Sequence, residues 1–220
     1  MNLKKSILLA SLLLVSTFSS IQSQGFKKEI LEFKRQDSLS FPPSNAILFV
    51  GSSSFTKWAD VSSYFPSHVI INRGFGGSTL LDVIHYKKDI ISPYNPKQIV
   101  IYCGENDIAS FDAISGKIVL KRFKKLYKDI RKEFPKISIV YVSMKPSPSR
   151  WEMKERLVDG NIRIKKFIER EDNTVYLSVW EKMLDANKNP NPTIFLKDQL
   201  HMNAEGYLIW QKIIEPILLK

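Results

Sequence analysis

The stretch "ILFVGSSSFTKW", Ile47 to Trp58, carries an apolar run and a glycine straight into three hydroxyls, Ser52, Ser53 and Ser54. A serine becomes a nucleophile only when it is held clear of its sheet. It also needs an imidazole to take its proton, a carboxylate to hold that imidazole, and donors for the developing oxyanion. The chain has a candidate for each. Asp198 stands three residues before His201 in "DQLH", a spacing that, in a loop entering a helix, lets the carboxylate reach one ring nitrogen and leaves the other free. His68 opens an apolar run and His85 lies in an amphipathic segment, so both read as structural. "NRGFGGST" offers glycines that let a backbone amide approach a ligand closely, and Asn106 in "GEND" has a side-chain amide able to donate. Taken singly, each has a plainer reading as a polar turn, a cap or a loop. A dinucleotide fingerprint is excluded, because counting from Gly74 and Gly76 puts Thr79 where the third glycine should be.

These residues need elements to position them. Strands are expected at Ala46 to Val50, His68 to Asn72, Gln98 to Tyr102, Ile137 to Val142 and Thr174 to Leu177. Helices are expected in "FKKEILEFKRQDS" and at Leu80 to Ile91, Ala113 to Phe134, Trp151 to Arg170 and Asn203 to Leu218, with Asn203 as the cap of the last. Runs such as "AILFV" and "IVIY" lack polar alternation, as strands buried on both faces do. Strands separated by helices need right-handed crossovers, giving an α/β fold, a three-layer α/β/α domain on a five-stranded parallel sheet. In such sheets the site lies at the carboxyl ends of the strands, where "GSSSF", "NRGFGGST", "CGENDIA" and "KPSPSRW" all fall.

Together these blocks resemble the SGNH, or GDSL-like, hydrolase superfamily over nearly the whole span from Ile47 to Trp210. "GSS", "NRGFGG", "GEND" and "DQLH" match its blocks in order. The resemblance implies a flavodoxin-like SGNH fold and an ester-hydrolysing enzyme without a cofactor or metal. It also implies Ser53 as nucleophile, His201 as base and Asp198 as its orienting carboxylate, with the Ser53 amide, Gly77 and Asn106 as oxyanion donors. The closer similarity is to platelet-activating-factor acetylhydrolase-like and lysophospholipase-like esterases. The chain departs from the family where an aspartate usually precedes the nucleophile and a leucine follows it: Ser52 and Ser54 stand there. An α/β-hydrolase elbow would need glycine where Phe55 stands.

The first 25 residues combine Lys4 and Lys5, an apolar run from Ile7 to Val15, and small polar residues to Ser23. That is the form of a secretory signal peptide. The expected organisation is a leader at 1–23 and a hydrolase domain at 24–220, exported to the periplasm or the medium; an uncleaved N-terminal anchor is the rival. Cys103 is the only cysteine, so no disulfide forms within the chain, and it reads as a small buried hydrophobe.

The formal charge of +11 falls to +9 once Lys4 and Lys5 leave with a leader that holds no acid. Much of it lies in "GKIVLKRFKKLYKDIRKEFPK", read as the solvated face of an amphipathic helix or as a surface for peripheral contact with anionic partners. No nucleic-acid-reading motif accompanies it. The expected substrate is an ester bearing a small acyl group, such as acetyl, on a glycan or lipid, with a lysophospholipase- or thioesterase-type acylhydrolase as the alternative. Arg150 and Trp151 are candidate substrate-binding residues beside the entrance. A binding module for acidic polymers is the non-enzymatic rival.

Overall fold

The computed structural model describes residues 26–220. The expected leader lies outside the described residues. The chain divides into a unit ending at Phe41 and a unit from Pro42 to Lys220. In the first, a helix α1 spans 26–39 and carries an Arg35–Glu32 ion pair at 2.8 Å, one turn apart.

The second unit is built on strands β1 (Ile47–Gly51), β2 (Ile70–Gly74), β3 (Gln98–Tyr102), β4 (Ser138–Val142) and β5 (Thr174–Leu177). They form one sheet in the order β2-β1-β3-β4-β5, and every pairing is parallel. Alternation along the strands divides the apolar runs between two faces. Ile47, Phe49, Val100, Tyr102, Val140 and Val142 share a buried cluster with Phe55, Trp58, Phe65, Tyr207 and Trp210. On the opposite face, Phe123 packs against Tyr141 with ring centroids 4.7 Å apart. The fold is the α/β class expected, a five-stranded parallel sheet flanked by helices.

The helices that follow in chain order are α2 (Ser53–Thr56), α3 (Val61–Tyr64), α4 (Leu80–His85), α5 (Lys87–Ile90), α6 (Glu105–Ser110), α7 (Gly116–Glu133), α8 (Lys154–Ile168) and α9 (Ala204–Ile214). Three differences from the sequence expectation have local causes. The second strand begins at Ile70, not His68, because the His68 amide closes a turn on the Phe65 carbonyl at 3.0 Å. The helix expected from Leu80 to Ile91 divides at Tyr86, whose backbone (φ −90°, ψ 8°) leaves the helical region. The helix expected from Trp151 is preceded by a 3-10 segment, Pro148–Met153, with a break at Arg150. The short α2, α3 and α6 span too few residues for a helical period to show in sequence. Asn203 caps α9 as expected, accepting from the Gly206 amide at 3.1 Å.

On α7, Lys117, Lys121, Lys125, Lys128 and Lys132 are exposed, while Val119, Phe123, Leu126 and Ile130 are buried. The lysines recur at three- and four-residue steps, so they form one stripe opposite the buried face.

Candidate active site

The serine run leaves the sheet at Gly51, whose φ of +142° lies in the region that favours glycine. A Cβ at this position would collide with the backbone of Tyr102 on β3. Glycine therefore lets β1 turn out against its neighbour with no side chain between them. The Ser52 amide donates to the Tyr102 carbonyl at 3.0 Å, and α2 opens at the next residue. The turn is then locked from below. Phe55 meets Trp210 edge-on at 6.2 Å, Trp58 stacks on Tyr207 at 4.8 Å, and the Tyr207 hydroxyl donates to the Ser54 carbonyl at 2.9 Å. Each fully buried aromatic of this kind stabilises by roughly 1.5–3 kcal/mol. Tyr207 and Trp210 belong to α9, the helix that follows His201, so one core cluster fixes both halves of the site relative to each other.

The three hydroxyls are not equivalent. Ser52 is 3% exposed and Ser54 1%, whereas Ser53 is only partly buried. The Ser53 hydroxyl lies 3.0 Å from His201 Nε2. On the far side of the ring, Nδ1 lies 2.6 Å from Asp198 Oδ2. With Nδ1–H donating to the carboxylate, Nε2 is left as acceptor for the serine proton. Asp198 Oδ1 accepts from the amides of Leu200 at 3.0 Å and His201 at 2.9 Å, which holds the carboxylate in place. Burial pushes the Asp198 carboxyl up, but the hydrogen bonds from the His201 side chain and from the two amides outweigh it and bring it down to about 2. Asp198 is thus ionised at neutral pH.

The strand-end loops meet on Ser78. Its hydroxyl donates to the Gly51 carbonyl at 3.0 Å, and its own carbonyl accepts from Asn106 Nδ2 at 3.0 Å. The Asn106 side chain is thereby tied to Ser78, the residue that follows Gly77. Gly77 has φ +77° and open space where a Cβ would stand. Among the described residues, the Gly77 and Ser53 amides have no acceptor. The chain's own hydrogen bonding thus leaves both donors, and the second N–H of Asn106, available at one end of the sheet.

Arg150 and Trp151 part company. The Arg150 guanidinium donates to Glu105 Oε1 at 2.9 Å and to Asn106 Oδ1 at 2.8 Å. Trp151 stacks on Trp180 with centroids 6.0 Å apart. Sequence reasoning missed Glu105, Lys145, Asp107 and Trp180. Buried Asp107 accepts from the Leu80 amide at 2.9 Å and pairs with Arg122 at 2.7 Å, so the final acid of "GEND" braces the start of α4. Lys145 donates to Glu105 at 2.9 Å, and the Tyr102 hydroxyl also donates to Glu105. A charged residue inside the short block "GEND" and a lysine just after β4 were the only signals, and neither names its partner. Cys103 is buried as expected, and burial pushes its thiol well up, away from nucleophilic use. Among the described residues no cluster of three or more His, Cys, Asp or Glu is placed to hold a metal ion.

The pattern of the GDSL-like Lipase/Acylhydrolase family matches residues 37–209. The chain belongs to that family. Membership makes this GDSL-like acylhydrolase an ester-hydrolysing enzyme. No curated protein matches it. Among solved structures it is similar to a Streptococcus pneumonia protein named for platelet activating factor, at 18% identity and TM-score 0.80, covering 94% of this chain and 99% of that one. A GDSL-like lipase from Bacteroides thetaiotaomicron aligns at 19% identity and TM-score 0.73, covering 86% and 96%. An acetylxylan esterase from Geobacillus stearothermophilus, solved as a catalytic mutant, aligns at 14% identity and TM-score 0.62, covering 81% and 97%. At these identities the likeness to the GDSL-like acylhydrolase is one of fold.

Proposed function

We propose that the protein is an exported serine esterase that removes small acyl groups, acetyl foremost, from a glycan or lipid alcohol. The observation that carries the reading is the unbroken chain from the Ser53 hydroxyl through His201 to Asp198, with links of 3.0 and 2.6 Å. Ser53 attacks the ester carbonyl as its proton passes to Nε2, and Asp198 stabilises the imidazolium that forms. The oxyanion rests on the Ser53 and Gly77 amides and the free N–H of Asn106. The imidazolium then protonates the departing alcohol. Water, deprotonated by the same ring, cleaves the acyl-enzyme and frees the acid and Ser53. A fluorophosphonate probe is expected to label the folded protein once, at Ser53, as read by peptide mass spectrometry. Folded protein that takes no label and turns over no ester would instead favour the acidic-polymer binder.

A glycan alcohol is favoured by the cleft beside Arg150. Its volume is about 560 Å³, and Trp151, Trp180, Glu155 and Glu181 are among its lining residues. Aromatic surfaces bordered by charged groups of both signs, Glu155 and Glu181 with Lys154 and Lys188, suit a sugar ring, which offers C–H bonds to a π face and hydroxyls to donors and acceptors. Trp180→Ala is expected to raise KM for an acetylated oligosaccharide several-fold and to leave p-nitrophenyl acetate turnover nearly unchanged. Equal loss on both substrates would count against the cleft as a sugar subsite, and preference for lysophospholipid in the same assays would move the substrate to a lipid. The lysine stripe of α7 supports peripheral contact with an anionic surface as part of this reading.

A further inference from the structure

We propose that Arg150 is a positioning residue for the oxyanion hole, acting through the amide of Asn106 and not on the substrate. This rests on the Ser53 esterase reading and deepens it. A side-chain amide stabilises an oxyanion only when an N–H faces it; its carbonyl in the same place would repel the developing charge. Here Asn106 is held at both ends. Oδ1 accepts from Arg150 at 2.8 Å, and one N–H is occupied by the Ser78 carbonyl at 3.0 Å, leaving the second N–H as the only free polar atom of the group. A cation on the amide oxygen also draws electron density from the nitrogen, which makes the remaining N–H a stronger donor.

Arg150 is itself fixed. Its side chain is 16% exposed, and its other nitrogen donates to Glu105, which is 3% exposed. Burial raises the Glu105 carboxyl, but Lys145 and Arg150 more than compensate and keep it ionised. Lys145, 2% exposed, and Tyr102 occupy the rest of that carboxylate. Two cations and one anion thus leave a net positive charge behind Asn106, with no rotamer freedom to lose when the oxyanion forms. Nη1 and Nη2 each spend an N–H on a protein acceptor, which fixes the plane of the guanidinium against Glu105 and Asn106.

The test is a double-mutant cycle on the full chain with p-nitrophenyl acetate. Asn106→Ala is expected to lower kcat by about 100- to 1,000-fold, and Arg150→Ala by about 10- to 100-fold with KM nearly unchanged. If Arg150 works through the amide, its removal in the Asn106→Ala background costs less than about threefold. Added guanidinium ion should restore part of the rate to Arg150→Ala and none to the double variant. Arg150→Lys keeps a cation for Glu105 but lacks the planar fork that meets Glu105 and Asn106 with separate nitrogens, so it should hold the wild-type melting temperature and still lose kcat. Independent, multiplying losses would overturn the proposal, as would an Arg150→Ala effect confined to KM. Failure of the underlying esterase reading looks different: ester turnover would survive Ser53→Ala.

Discussion

Ser53→Ala is expected to lower ester turnover by about five to six orders of magnitude, to the residual rate that a site without its nucleophile supplies. Ser52→Ala and Ser54→Ala should retain catalysis within about tenfold. The contrast follows from position, since the three hydroxyls are chemically identical. Only Ser53 reaches His201 Nε2, at 3.0 Å, while Ser52 and Ser54 are 3% and 1% exposed. Ser54 gives its carbonyl to Tyr207, a backbone contact that alanine keeps, and its hydroxyl bonds to the buried Tyr102, not to the imidazole. Rate measurements on a short-chain aryl ester, with circular dichroism to verify folding, check all three. Wild-type turnover by Ser53→Ala, with loss in either neighbour, would reassign the nucleophile.

Glu105→Ala is expected to cost about 3–5 kcal/mol of folding stability, the usual result of removing one partner of a buried ion pair. Lys145 is 2% exposed and pairs with Glu105 at 2.9 Å. Burial alone lowers the Lys145 pKa, and Glu105 is the chief group holding it up. Deleting the carboxylate strands the ammonium in a site closed to water and leaves Arg150 without its anchor. Urea unfolding with an unchanged m-value and a lowered midpoint reads the loss. Replacing the pair together, Glu105→Leu with Lys145→Met, should recover most of that stability, because two desolvated charges are exchanged for apolar contact. Catalysis should not recover with it, since Arg150 then has no carboxylate to fix its guanidinium. A single Glu105→Ala variant as stable as wild type would show that the pair carries no such energy.

Much of the fold was legible because it depends on short-range pattern. The runs at Gln98–Tyr102 and Thr174–Leu177 have the expected strand bounds: the first is a contiguous apolar run buried on both faces, the second a half-buried edge strand marked by its β-branched and aromatic residues. Where a boundary shifted, a tertiary or turn contact decided it: His68 bonds back to Phe65, and Tyr86 leaves the helix while its ring packs edge-on against Phe75 at 5.8 Å. The one long helix read between Trp151 and Arg170 lost its start for the same reason, as the break at Arg150 sits where the guanidinium reaches back to α6.

By itself the sequence determined the layered α/β order, the strand-end location of the polar blocks, and the residue types able to perform acyl transfer. Those follow from periodicity, glycine placement and the acid–base character of individual side chains, all local properties. The tertiary structure alone decided which serine faces the imidazole across 148 positions of chain, that "GEND" contains both a brace for α4 and a buried anion, and that Arg150 holds Asn106. Buried charges and amides choose their partners by what the folded chain brings within about 3 Å in a medium that excludes water. No spacing along the sequence encodes that distance.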